Sequence, residues 1–221
     1  MTSARRSTCS IACALIVVAT AGCEAPGNPR LAALSSPGGI YEVHLTGRVT
    51  RARIFENRVR AEVFKNGAPH LPARLIFAAG LFDTSFNERF GSPEWAASNV
   101  LRFPGRAGAA PGAEPDSLTV RSVSDRPFPS IRIETARDMF LVFDLAPRAE
   151  MTLPTTAPVN SDAPNWFDVI VDSGNPDALL RGHGTFTHRA SVRPRFTFTV
   201  TVSANGVEVA ETTGHTKPPV R

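Results

Sequence analysis

Cysteine is scarce in this chain. Cys9, Cys13 and Cys23 are the only three, and no thiol follows Cys23. Residues 24–221 therefore exclude an internal disulfide, a thiolate metal cluster and a cysteine nucleophile. Lysine is scarcer still: Lys65 and Lys217 stand against 22 arginines, a skew that reads as the codon composition of a GC-rich genome. No apolar stretch reaches the roughly 20 residues that span a bilayer; the run Ile11–Ala19 falls well short, and nothing after Gly22 comes close. Catalytic signatures are missing as well. The chain has no G-x-S-x-G elbow, no S-x-x-K and no phosphate-cradling G-x-x-x-x-G-K, so spacing names no catalytic residue, cofactor or metal site. The formal charge of +4 falls to +2 once Arg5 and Arg6 are set aside, too balanced for a nucleic-acid partner.

The N-terminal region is the most specific feature present. Arg5 and Arg6 precede an uncharged stretch from Ser7 to Gly22, which closes on Thr20-Ala21-Gly22-Cys23. A charged front, a short apolar run and a small-residue exit mark a processing signal rather than a membrane span. These residues resemble a bacterial lipoprotein signal peptide with its lipobox. The resemblance implies a signal helix over 1–22, cleavage before Cys23, a diacylglyceryl group on its thiol and a further acyl chain such as palmitate on the new N-terminus. At roughly 0.8 kcal/mol per buried CH₂, two or three chains anchor stably where one does not. Thr20 stands where the family prefers leucine, and Ala19-Thr20-Ala21 also forms an A-x-A site at which ordinary signal peptidase would release the protein. Glu24 lacks the aspartate that holds such lipoproteins at the inner membrane, which implies the periplasmic face of the outer membrane in a diderm cell.

Removing 22 residues from 221 leaves 199, enough for one large or two small domains. Residues 23–39 carry Pro26, Pro29, Pro37, Gly27, Gly38 and Gly39 without apolar periodicity, and predict a lipidated, flexible tether. From residue 40 the pattern alternates with period two, as half-buried antiparallel strands do. Tyr41, Val43 and Leu45 form one inward set; Val59, Ala61 and Val63 a second; Leu71, Ala73, Leu75 and Phe77 a third. Leu118 and Val120, Ile131 and Ile133, Met139–Leu145, Met151 and Leu153, Phe167, Val169 and Val171, and Phe196–Val202 continue the series. Asn66-Gly67 and Asn205-Gly206 read as hairpin turns. Ser92-Pro93-Glu94-Trp95 predicts a helix start. Gly105–Pro115 reads as a long loop or an interdomain linker, and 214–221 as a polar tail.

These elements predict an all-β antiparallel β-sandwich over 40–213, either continuous or split into two at 105–116. Val63-Phe64-Lys65-Asn66-Gly67-Ala68-Pro69, followed by Ala73 and Leu75–Phe77, resembles the strand-turn-strand of bacterial immunoglobulin-like surface domains, which implies an immunoglobulin-like sandwich.

Candidate sites are few. His183 and His188 lie five apart, on opposite faces of a strand and so unsuited to a shared metal. Asp162, Asp168, Asp172 and Asp177 offer oxygen atoms without calcium-loop register. Glu134 and the other strand carboxylates read as a solvated face. Arg51, Arg53, Arg58 and Arg60, then Arg189, Arg193 and Arg195, read as solvated strand edges or as contacts to anionic headgroups. Trp166 reads as core. Phe82, Phe86 and Phe90 sit among polar residues in an expected loop, and predict an exposed aromatic patch that would survive conversion to Ser without loss of folding.

The resulting expectation is a membrane-anchored envelope lipoprotein, tethered at Cys23, with a non-enzymatic binding or structural role toward an envelope protein or glycan. The alternatives are a lipid-anchored hydrolase or metal-dependent enzyme, and a carrier of a small ligand or glycan. A concave apolar cavity distinguishes the carrier, and a titratable cluster in a deep pocket the enzyme.

Overall fold

A computed structural model describes residues 30–47, 57–79, 84–106, 117–155, 165–175, 178–186 and 196–213. The expected signal helix, Cys23, Phe82, Arg51, Arg53, Asp162, Asp177, His188, Arg189, Arg193, Arg195 and the tail from 214 lie outside them.

Fourteen strands and one short helix make up the described residues. The first four strands are β1 (Arg30–Ser35), β2 (Tyr41–Gly47), β3 (Asn57–Lys65) and β4 (Ala68–Ala79). Helix α1 (Phe86–Arg89) follows, then β5 (Glu94–Ala97) and β6 (Val100–Phe103). The remainder are β7 (Ser117–Ser122), β8 (Phe128–Thr135), β9 (Met139–Leu145), β10 (Glu150–Pro154), β11 (Asn165–Asp172), β12 (Leu179–Phe186), β13 (Phe196–Val202) and β14 (Val207–Thr213). No helix among these residues is long and apolar enough to cross a membrane.

The architecture is an all-β sandwich of three sheets. A front sheet has the order β1-β2-β3-β4, a central sheet β12-β11-β8-β9-β6-β5 and a back sheet β10-β7-β13-β14. Pairing is antiparallel throughout the front and central sheets; in the back sheet β7 and β13 run parallel. Because β6 pairs with β9, strands from both sides of the Gly105–Pro115 stretch belong to one sheet.

The layering follows from β9. Met139-Phe140-Leu141-Val142-Phe143 has no polar alternation, and all five residues are buried. A strand with apolar residues at both parities must be covered on both faces. Met139, Leu141 and Phe143 join the core under the front sheet, whereas Phe140 and Val142 join the core over the back sheet. The front core takes Val43, Val59, Val63 and Phe77; the back core takes Val120, Ile131, Val169, Phe198 and Val200.

The structure corrects several expectations. Arg30–Ser35, assigned to the tether, is β1, and it pairs with β2 from Ser35↔Glu42 back to Arg30↔Thr46. Gly38 (φ 83°) and Gly39 (φ 70°) close the connection. As an edge strand β1 needs only partial burial, through Leu31, Ala32 and Leu34, so its small residues suffice. Ser92–Trp95 starts no helix; Glu94–Ala97 is β5. The helix lies earlier, where Ser85 caps α1 and Glu88 bonds back to the Ser85 backbone, a reciprocal capping box. On β4, Ala73 and Leu75 are exposed while Leu71, Ile76 and Phe77 are buried. Register slips between β3 and β4, one of them at Ala61/Val63, break the alternation that sequence parity assumes. Two members of the expected aromatic patch, Phe86 and Phe90, are core as well. Phe86 is 7% exposed and Phe90 1%, packed edge-on against Phe77 and Phe103.

Candidate binding cleft

The front sheet is narrower than the central sheet, and this mismatch makes the site. Its core residues meet α1, β6 and β9 but none of β8, β11 or β12. Edge strand β4 therefore ends over β8, and the front-facing side chains of β8, β11 and β12 are left beside it. Register places them in rows: Ser130, Asp172 and Leu179; then Arg132, Ile170 and Arg181; then Glu134, Asp168 and His183. A cleft of about 520 Å³ lies in the corner between these rows and the inner side of β4.

Its walls are mostly apolar. Leu71, Pro72, Leu75 and Ile76 come from β4, with Ile170 and Leu179 opposite. Four large apolar side chains among the described residues are conspicuously exposed: Ile40, Leu75 (47%), Val123 and Leu179 (40%). Two of these four, Leu75 and Leu179, line this cleft. Apolar surface left in water beside a cavity makes this cleft the candidate binding surface.

Ion pairs line the seam where β4 and α1 meet the uncovered face. Arg74 Nη1 lies 2.9 Å from Asp172 Oδ2, and Asp172, 4% exposed, also accepts from the Gly174 N–H. Arg132 donates to the Ile76 carbonyl at 2.8 Å and to Asp168 Oδ2 at 2.8 Å, and stands 3.6 Å from Glu134. Glu134 also receives Arg89 at 2.7 Å, whose guanidinium covers the half-buried Trp166 ring at 5.1 Å. The carboxylates of this face are thus not a solvated fringe: each is answered by an arginine, as burial of charge requires. Arg181, exposed at the rim, has no hydrogen-bonding or ionic partner among the described residues.

The orientation of β12 depends on two glycines. Leu180 and Phe186 turn toward the back core, and Gly182 and Gly184 share their parity. A Cβ on Gly182 would stand 2.6 Å from Val207 Cγ1, and one on Gly184 3.1 Å from Val209 Cβ. Their bare backbones let β14 close against β12, and Leu179, Arg181 and His183 are left facing the cleft side.

A second cluster sits where the β3–β4 hairpin meets β9. Asp144 accepts from the Tyr41 hydroxyl at 2.7 Å and Lys65 Nζ at 2.6 Å, and His70 Nε2 lies 3.0 Å away. Asp144 holds a left-handed φ of 48°, which aspartate tolerates better than most residues. Phe143 and Asp144 consequently both address the front sheet, while Leu145 returns to the back core. Burial raises the Tyr41 phenol, reinforced by the Asp144 carboxylate. The hydrogen bond to Asp144 raises the Lys65 ammonium. For Asp144, burial pushes upward, but the bonds from Lys65, Tyr41 and His70 outweigh it and hold the carboxyl below its ordinary value. Each shift locks its group into the charge state it already has at neutral pH. Acid–base catalysis needs pKa values drawn toward the working pH, so this is the electrostatics of a clamp.

The clamp has a defined pH window. The folded chain keeps Asp144 ionised to lower pH than the unfolded chain. Its contribution is complete above the ordinary value of 3.8 and is lost as pH falls through the lowered folded value. Tyr41 and Lys65 hold their protons longer when folded, so their contribution is lost as pH rises past about 10. Urea titrations should show Asp144→Asn, which keeps the tolerance for left-handed φ, about 1–2 kcal/mol less stable than wild type at pH 7. That gap should narrow as pH falls below 3.8 and close only once pH has passed the lowered folded value. A gap that persists there would remove the ionic role.

The cleft takes in few of the residues singled out from sequence. Asp172 lines it, and Asp168 and Glu134 border it through Arg132; Phe86 and Phe90 do not reach it. His183 is exposed and bonds Thr185, and His44 bonds Glu42. Arg58 and Arg60 are exposed on β3. No group of three or more His, Cys, Asp or Glu side chains among the described residues is arranged to hold a metal ion. Arg74, Leu75, Arg132, Leu179 and Arg181 are the residues that sequence reasoning missed. The available signal was Gly182-x-Gly184, whose shared parity assigns one face of β12 to close packing and the other to presentation. No family model, curated protein or solved structure matches the chain.

Proposed function

We propose that this protein is a membrane-anchored envelope lipoprotein, attached through Cys23, whose sandwich has a non-enzymatic binding role exercised at the β4–β12 cleft. One observation carries the binding role: exposed Leu75 and Leu179 flank a largely apolar cleft of about 520 Å³, within the size range of small-molecule sites. The anchor rests on the lipobox-like residues Thr20-Ala21-Gly22-Cys23. With Phe86 and Phe90 buried, the cleft replaces the aromatic loop as the binding surface.

The test joins both parts. Metabolic labelling with a fatty acid should mark the wild type and leave Cys23→Ser unmarked; equal label refutes the anchor. The purified wild type should enhance the fluorescence of Nile red, a neutral apolar dye. Leu75→Glu with Leu179→Glu should reduce that enhancement at least fivefold while the urea midpoint stays within error, because both side chains are exposed. Undiminished enhancement in the double variant would place binding elsewhere.

A further inference from the structure

The cleft has a charge pattern as well as a shape, and the pattern selects a ligand class. Three arginines and one aspartate line it. Arg74 is neutralised by Asp172, and Arg132 by Asp168 and Glu134. Arg181 is left uncompensated among the described residues, opposite Ile170 in the β11–β12 register and two residues from exposed Leu179. The apolar walls thus end at a single guanidinium.

We infer that the cleft takes a single-chain aliphatic monocarboxylate, its carboxylate on Arg181 and its hydrocarbon along Leu75, Ile170 and Leu179. This presupposes the cleft as the binding site and adds the chemistry of its occupant. The guanidinium fork matches a carboxylate bidentately. One uncompensated cation suits a monoanion, because a second negative charge on the ligand would meet no free positive group in the lining. Apolar surface that now lies in water would be covered by the chain.

An extended peptide fits less well. Strand addition needs a free main-chain edge, and β4 offers a poor one. Pro69 and Pro72 carry no N–H, and Arg132 already occupies the Ile76 carbonyl.

Titration calorimetry of the purified wild-type chain at pH 8 with dodecanoate, dodecanol and acetate, all below micellar concentrations, tests the inference. Dodecanoate should bind about tenfold more tightly than dodecanol, the ratio one charge-assisted contact supplies. Acetate should show no measurable binding. In Arg181→Ala the ratio of dodecanoate to dodecanol affinity should fall toward one, with Arg181→Lys intermediate, and added salt should narrow the wild-type ratio. Equal affinity for acid and alcohol would overturn the carboxylate class while leaving the cleft as an apolar site. A preference that survives Arg181→Ala would overturn the role of Arg181. Failure of both dodecyl ligands, together with unchanged Nile red response in the leucine variants, would overturn the cleft reading itself.

Discussion

Phe90→Ser should cost about 4 kcal/mol of folding stability, at the level seen for large-to-small aromatic replacements in cores. The ring is 1% exposed and meets Phe77, Phe86 and Phe103 at centroid distances between 5.3 and 6.4 Å. Serine would leave a cavity and place a hydroxyl in an apolar setting, and both effects destabilise. A domain of this size has a net stability of about 5–15 kcal/mol, so the variant should show a large fall in urea midpoint. Adhesion is the opposite expectation: a surface aromatic would be replaced without harm to folding. A Phe90→Ser protein with wild-type urea midpoint would restore the surface patch and remove the ring from the core.

Gly182→Val should cost about 3 kcal/mol, the upper part of the usual range for overpacking. Even the first added carbon would lie 2.6 Å from Val207 Cγ1 and 2.8 Å from Val207 Cβ. Valine is stiff at χ1, and its Cβ is fixed to the β14 backbone, so β14 would have to move away from β12. That movement would open the edge of the back core at Val207 and Val209 and tilt the strand that presents Leu179 and Arg181. Nile red enhancement should therefore fall along with the urea midpoint. Loss of stability with the dye response unchanged would separate the β12–β14 contact from the geometry of the cleft.

The strands were legible because their signals are local. Tyr41, Val43 and Leu45, or Phe198, Val200 and Val202, alternate in the chain and point to one side in the fold. The Asn66-Gly67 turn was legible for the same reason: both residues adopt positive φ, 51° and 77°, which that dipeptide favours. Phe86 and Phe90 carried a local signal too, since i and i+4 share a face of a helical turn. Polar neighbours suggested a loop, yet the capping box at Ser85 and Glu88 names the turn that directs both rings inward. Ala73 and Leu75 went the other way, because slips in β3–β4 register depend on the partner strand and leave no mark in the parity of β4.

The cleft belongs to a different level. It exists because a four-stranded sheet covers part of a six-stranded one, and strand count and order are properties of pairing across the whole chain. Arg74 meets Asp172 across 98 positions, and Tyr41 meets Asp144 across 103; no spacing rule joins such residues. The sequence by itself determined the strand class, the hairpin turns and the lack of any cysteine beyond Cys23, since each follows from neighbouring residues or from composition. Tertiary structure alone decided that the strand carboxylates are paired and that Leu75, Leu179 and Arg181 share one cavity. The physical reason is that burial and charge compensation are set by what packs opposite a residue, and partners that meet across the cleft, such as Arg74 and Asp172, are distant in the chain.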